Sequence, residues 1–424
     1  MGTKLSYLEV NMSKMIRKSV ICVIIAVLTL SLATFGFVAC NKQAPSNVPV
    51  APTDDTPQVD PITITDMIGR QLQIKPGTYK RVVCIGAGAL RIYTYVGDVD
   101  LLCGIEDIDN TTREARPKMF DKAARPYQLA FKTVFDAIDS SCGVGGPQAQ
   151  AAEAEKILAC NPDIVISEYE DVEKENALQE QLGGNIPVVT VKYGPRTIFD
   201  NNVLNSLTML GKIFNKNGRA AMLRSYIKGQ EKEISDRTKD IAEEDKKSVY
   251  ICGLGNWGTT NHLMTAKNNY APFEIAHIKN AANLSGGGAP QAEITLETLV
   301  EISDDIDIMV FDSAAINNIK PIGTKLDATN KQALENINAW KEGEVYIEMP
   351  QYAYYVNLEL ALVNTWWLAK VAYPDLFEDI DMTEKTNEVT YAFFGKELAK
   401  EIFACPLSFG GYQKIADPST FFGA

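Results

Sequence analysis

Two histidines, His262 and His277, are all that a chain of 424 residues supplies, and that count limits its chemistry. A protein-built zinc or manganese centre draws on several imidazoles and carboxylates. A site with three histidines is therefore impossible. Tyrosine is plentiful, at 17, and Tyr352, Tyr354 and Tyr355 stand close together. A phenol donates a hydrogen bond, offers an aromatic face and is a hard ligand for ferric iron. Arg91 suits an anionic ligand, Trp257 suits stacking on a planar chelate, and His262 suits axial ligation of a macrocycle-bound metal. Gly253-x-Gly255-x-x-Gly258 matches a dinucleotide fingerprint in letters. The segment after it, TTNHLMTAKNNYAPF, is polar and contains proline, with no βαβ unit. Walker A, G-x-S-x-G and H-E-x-x-H patterns are absent. Binding is expected rather than covalent catalysis, with no catalytic residue, cofactor or protein-built metal centre.

Those groups need elements to hold them. KRVVCIGAGAL, residues 80–90, reads as a basic start, a β-branched run and a glycine turn. KKSVYICGLGNWG, residues 246–258, repeats it, with Arg81 matching Lys247 and Gly86-Ala-Gly88 matching Gly253-Leu-Gly255. A second pair is AEKILACNPDIVIS at 154–167 and LETLVEISDDIDIMV at 296–310. Each has a Glu, a helical apolar pattern, an Asp eight residues after the Glu (Asp163, Asp305), then a strand. IPVVTV and EVYIEM follow as further strands. Strands alternating with helices predict central, mainly parallel sheets covered on both faces. The recurrence predicts two similar α/β lobes, 62–196 and 248–424. The intervening 197–247 has helical spacing and a highly charged second half, which predicts one long, largely solvated linking helix.

In open α/β sheets ligands bind beyond the carboxyl ends of the strands. The two glycine turns each follow a strand, so both are expected at one cleft, bringing Gly88, Arg91 and Trp257 to its walls. Glycine lets the backbone approach a ligand closely. Gly146 in the turn before Glu155, Tyr169 after DIVIS, Asp312 after DIMVF, the three tyrosines after EVYIEM, and His262 are expected there too. Plainer readings stand beside these: Arg91 as a helix-pairing cation, Trp257 as a buried anchor, the tyrosines as packing.

The N-terminus reads as an address. Lys14, Arg17 and Lys18 precede an uncharged stretch from Ser19 to Ala39. A basic region followed by such an apolar one is a secretory signal pattern, here covering residues 1–39. The stretch ends FGFVAC, and a small residue followed directly by Cys40 looks like the lipobox of bacterial lipoproteins, with Phe37 where Leu is usual. The competing reading is an uncleaved membrane anchor, for which the stretch is long enough. Residues 40–61, rich in proline, read as the lipidated Cys40 and a flexible tether. Both readings put the body outside the cytoplasm. The body holds six cysteines, Cys84, Cys103, Cys142, Cys160, Cys252 and Cys405, without a C-x-x-C pair, and free thiols are expected. With 54 acidic against 41 basic residues the net charge is −13, which disfavours nucleic acid and anionic lipid surfaces.

Four stretches carry a family resemblance: ITDMIGRQLQIKPGTYKRVVCIGAGALRIYTYVG, EKILACNPDIVI, SVYICGLGNWG and QYAYYVNLELALVNTWWLAKVAYPD. Over about residues 62–400 the chain resembles the substrate-binding components of ABC importers for iron–siderophore, haem and corrinoid complexes. The resemblance implies two α/β lobes joined by a long helix, a ligand cleft between them and modest opening. It implies that Glu155 and Glu297, one on each lobe, dock into arginines of a permease dimer whose ATPase is a separate chain. It also implies a monomer whose cargo is a metal chelate: a ferric siderophore first, a corrinoid or haem next. A lipid-tethered surface scaffold or adhesin without a small-molecule cargo is the alternative of another class.

Overall fold

A computed structural model describes residues 48–49, 60–146, 151–254, 265–266, 269–282, 292–294, 296–320 and 323–423. The chain divides into Met1–Ser46 and Asn47–Ala424, and every described residue lies in the second unit. The signal segment, Cys40 and most of the tether lie outside the described residues. Among the described residues no helix is long and apolar enough to cross a membrane.

The body opens on a hairpin. Strands β1 (Ile62–Thr65) and β2 (Gln71–Ile74) pair antiparallel, Ile62 opposite Ile74. Gly69, at φ 90°, makes the turn. Arg70 sits 2.8 Å from Asp66 and donates to the Val188 carbonyl at 2.5 Å, which fastens the hairpin to the first lobe.

That lobe holds β3 (Val82–Ile85), β4 (Leu102–Glu106), β5 (Ser141–Gly143), β6 (Ile164–Ser167) and β7 (Val188–Thr190). They form one parallel sheet ordered β5-β4-β3-β6-β7. Every residue of β3 and β6 is buried, as a sheet covered on both faces requires. The lobe's α-helices are α1 (Ala89–Val96), α2 (Pro126–Asp136), α3 (Ala154–Ala159) and α4 (Val172–Gln181).

The connector contains the expected long helix but reaches it in two steps. Helix α5 (Asn201–Phe214) stops where Asn215 turns left-handed at φ 58°. Helix α6 (Asn217–Thr238) then runs 22 residues, roughly 33 Å at 1.5 Å per residue. Its buried face carries Leu223, Ile227 and Ile234, each fully buried. Each such side chain contributes about 1.5–3 kcal/mol. Exposed pairs on the other face, such as Lys232 with Asp236, contribute about 0.2–0.5 kcal/mol each. Packing therefore seats this helix, and the charges keep its outer face in water.

The second lobe comprises β8 (Ser248–Cys252), β9 (Thr265–Ala266), α7 (Ala271–Ile275), β10 (Lys279–Asn280), β11 (Ala292–Glu293), α8 (Leu296–Glu301), β12 (Ile308–Asp312), α9 (Ser313–Ile319), β13 (Val345–Glu348), α10 (Leu358–Ala372), α11 (Met382–Phe394) and β14 (Gln413–Lys414), with short helical turns between some of them. Its sheet is ordered β10-β8-β12-β13-β14, parallel except for β14, while β9 and β11 pair apart from it. The order β4-β3-β6-β7 is thus written again as β10-β8-β12-β13. The sequence repeat is a structural one.

One detail of that repeat shifts. The Asp163 carboxylate accepts the backbone N–H of Lys80 and Arg81 at 2.7 and 3.0 Å. Its counterpart is Asp307, which accepts from Ser248 N at 2.8 Å, rather than Asp305. The extra turn Ser303–Asp305 after α8 displaces the register. The largest apolar cluster runs from Ile64 to Phe422 through both lobes and the connector, with smaller ones around Val83 and Val165 and around Ile108 and Tyr354. That continuity resists wide hinge motion. The six body cysteines are free thiols, with Cys84, Cys142, Cys160 and Cys252 buried.

Candidate functional site

The carboxyl ends of the first lobe's strands form one wall. After β3 the chain turns through Gly86 and Gly88, at φ 85° and 97°. A side chain at Gly88 would place its Cβ 2.6 Å from the Tyr193 hydroxyl, which itself donates to Gly88 O at 3.0 Å. Only glycine fits there. Glu106 ends β4, and its Oε1 accepts the Gly86 N–H at 3.0 Å. Gly145 follows β5, and a Cβ there would come within 2.9 Å of the Glu106 Cβ. Glu168 directly follows β6, and Tyr193 lies just beyond β7.

The opposite wall is the short segment after β13. Tyr352 and Val356 form an isolated β-bridge, and Ala353 N donates to Tyr355 O at 2.9 Å. Tyr354 and Tyr355 inside this loop are both left-handed, at φ 48° and 72°. Two consecutive bulky residues in that region cost about 1–2 kcal/mol each, so the surroundings must hold them. The Tyr354 hydroxyl donates to Glu106 Oε2 at 2.5 Å and accepts from the Gly146 backbone. The Tyr355 hydroxyl bonds Glu168, and its ring meets Tyr193 edge-on at 4.6 Å. Two phenol–carboxyl pairs thus join the lobes.

Burial dominates the electrostatics here. It pushes the Glu106 carboxyl up to about 7, against the hydrogen bonds from Tyr354 and Gly86. It pushes Glu168 up to about 8, helped by the neighbouring Glu170. Tyr354 and Tyr355 are raised as well, by burial and then by these carboxyls.

Arg91 is the residue whose expected place changes. Its exposure is 0%, and its guanidinium donates to Val356 O at 2.6 Å, Ala353 O at 2.9 Å, Asn357 Oδ1 at 2.8 Å and Tyr354 O at 3.3 Å. Its face also covers Tyr127 at 4.6 Å. A cation so enclosed is a strap from α1 to the opposite loop, not a docking point for an anion. The helix geometry explains this. Every residue of α1 is buried, so a side chain leaving it at this position enters protein on all sides. Asp312 also turns inward: Oδ1 caps α9 through Ala314 N at 2.9 Å and Oδ2 accepts Gln351 N at 3.1 Å. It shapes the root of the tyrosine loop from beneath.

The structure therefore brings Gly88, Gly146, Tyr354 and Tyr355 to one place. Tyr169 is half-buried behind them and lines a 170 Å³ cavity with Lys174 and Leu178. Tyr352 is half-buried at the base of the loop. Trp257 and His262 lie outside the described residues. Glu106, Glu168 and Tyr193 are the site residues that sequence reasoning missed. Their signal was available: each stands at or just after the end of an apolar strand run, LLCGIE, DIVISE and VVTVKY.

Glu155 and Glu297 are exposed in the first turns of α3 and α8. Helix α3 delivers the chain to β6 and α8 to β12, the strands that flank β3 and β8. Each helix must run back along its sheet, so its first turn lies toward the strands' carboxyl ends. The two glutamates occupy equivalent places on the two lobes.

Known proteins agree with this architecture. The family model described as periplasmic binding protein matches residues 82–352. The molybdate-binding protein MolA of Haemophilus influenzae is 23% identical over 262 residues, which cover 57% of this chain and 69% of MolA. The uncharacterized ABC transporter substrate-binding lipoprotein YvrC of Bacillus subtilis is 22% identical over 324 residues, covering 76% and 88%. Among solved structures, a periplasmic solute binding protein of Veillonella parvula superposes with a TM-score of 0.59 at 19% identity, covering 82% of this chain and 98% of that one. Two repeated lobes, strand ends converging on one loop and a match spanning most of the folded body lead to one assignment: the chain belongs to the periplasmic binding protein family, the solute-binding components of ABC transporters.

Proposed function

We propose that the protein is a lipid-anchored extracytoplasmic receptor that captures a metal chelate of the iron(III)–siderophore type and delivers it to an ABC permease dimer. The observation that carries this reading is the pair of inter-lobe contacts, Tyr354 to Glu106 and Tyr355 to Glu168, at the carboxyl ends of the strands. This is where an open α/β sheet binds ligands, and both lobes contribute. Two histidines in the whole chain favour a pre-chelated metal over a bare ion. A corrinoid or haem fits the same architecture. The matched MolA protein is named for molybdate, so that oxyanion belongs in the comparison. Delivery rests on Glu155 and Glu297, which meet the two-fold symmetry of a permease dimer from equivalent sites. Tethering rests on Cys40, and the receptor works as a monomer.

Fluorescence titration with ferric siderophores, haemin, cobalamin and molybdate tests the reading. Saturable quenching by a ferric siderophore supports it. Binding of haemin or cobalamin alone reassigns the cargo. Binding of none favours a tethered scaffold.

A further inference from the structure

The repeat extends to a pair of exposed aliphatic side chains. Leu158 and Val300 are the fifth residues of α3 and α8, each three places after its lobe's glutamate. Leu158 is 44% exposed and Val300 45%, while Ile157 and Leu299 just before them are at 0%. The two helices therefore turn the same face to water. Residues three apart on a helix are neighbours, and a helical side chain leans toward the helix N-terminus. Each aliphatic chain thus lies beside its glutamate. The surrounding letters differ, Lys156 against Thr298 and Ala159 against Glu301, yet the exposed aliphatic recurs. One exposed leucine needs no explanation. The same exposure at the same place in both halves of a duplicated fold does. On the first lobe Val144 is exposed at the same end, its N–H donating to Glu153 Oε1 at 3.0 Å just ahead of α3.

We infer that Leu158 and Val300 are apolar docking contacts, each seated beside its glutamate on a two-fold permease dimer that offers both lobes the same surface, a cation next to an apolar hollow. This rests on the docking reading of Glu155 and Glu297 and adds the contact that supplies most of the affinity. Exposed ion pairs are weak and screened by salt, so two glutamates alone hold a docked complex poorly. Burial of apolar surface is stronger and is not screened. The charges then set orientation and encounter rate, and the aliphatic chains set the lifetime of the complex. The duplication selects the partner: equivalent patches on two lobes suit a partner that repeats its own surface about a two-fold axis. A second copy of this chain fits less well, because pairing these patches brings glutamate onto glutamate whichever lobes meet, in a chain of net charge −13.

The test is photo-cross-linking of the full-length protein in membranes of its own cells. Benzoylphenylalanine is introduced at Ala159 and, separately, at Glu301, exposed neighbours of the two aliphatic residues. Both reporters are expected to capture the same protein of many membrane spans, co-purifying with an ATPase. The double variant Leu158→Ser, Val300→Ser lowers the yield of that adduct about tenfold or more at both low and high salt. Leu158→Gln with Val300→Thr serves if the serine variant has a lowered Tm. Glu155→Gln with Glu297→Gln instead removes the fall in yield that the unaltered protein shows between about 0.05 and 0.5 M salt. Leu376→Ser, at an exposed aliphatic residue beyond the far end of α10, leaves the yield unchanged. An undiminished yield in the folded Leu158 and Val300 variant overturns the inference while leaving glutamate docking intact. Adducts with a second copy of this chain, or with different proteins at the two reporters, also overturn it. No adduct at either reporter contradicts the docking reading itself, and the inference with it.

Discussion

Arg91 donates a 2.8 Å hydrogen bond to Asn357 Oδ1 across 266 residues of chain, tying the first lobe to the loop that carries the tyrosines. Asn357 in turn donates to Ala124 O at 3.0 Å and Pro350 O at 2.7 Å, so one amide stitches both lobes and the loop's own base. The left-handed tyrosines stay in place because their carbonyls are held from behind.

Replacing Arg91 by methionine strips donors from these buried carbonyls. The expected cost is about 3–5 kcal/mol of stability. Arg91→Lys recovers only part of it, since an ammonium cannot span the fork. Urea denaturation measures both. Unchanged stability with lost cargo affinity would return Arg91 to the cleft as a ligand residue.

Gly88→Ala forces a Cβ against the Tyr193 ring at a φ of 97°. A loss of about 2–4 kcal/mol is expected. Adding Tyr193→Ala removes the clash but not the backbone strain, so the double variant is more stable than the sum of the two single effects. Strict additivity would contradict the contact.

Stability depends on pH in an unusual direction. Burial holds Glu106, Asp312 and Glu175 up to about 7 and Glu168 up to about 8. The native state keeps protons that the unfolded chain releases near pH 4. This contribution is fully present below the unfolded values and is lost as pH rises through 7 and 8. His277, lowered by burial and by Lys246, works weakly the other way. Calorimetric Tm is expected to fall between pH 5.5 and 8.5, equivalent to about 2 kcal/mol or more. A flat or rising profile would contradict neutral buried carboxyls.

Permease docking has a separate signature. Reversing Glu155 and Glu297 together to lysine abolishes uptake in cells, while Tm and cargo affinity of the purified protein stay put, because both side chains are exposed. Lost affinity would assign them to the cleft or the fold.

The duplicated lobes were legible because the repeat is carried by short-range pattern: a β-branched run, a glycine turn, then helix and strand again. The glycine turns that hold Gly86, Gly88 and Gly146, left-handed in the structure, were legible for the same reason. Arg91 was legible as a special residue but not in its role. Its acceptors come from Ala353 to Asn357, and no local spacing reveals a partner so distant. Glu106 and Glu168 were hidden by their type, since a glutamate at a strand end resembles any solvated charge until the opposite loop covers it. The break at Asn215 was hidden by helical spacing that continues through it.

Native mass spectrometry of the protein purified from its own membranes tests the central claim most directly. The account predicts a 1:1 complex whose added mass is an iron-containing small molecule, released when the protein is unfolded. A spectrum of bare protein that stays bare after incubation with ferric chelates, haemin and cobalamin would contradict it.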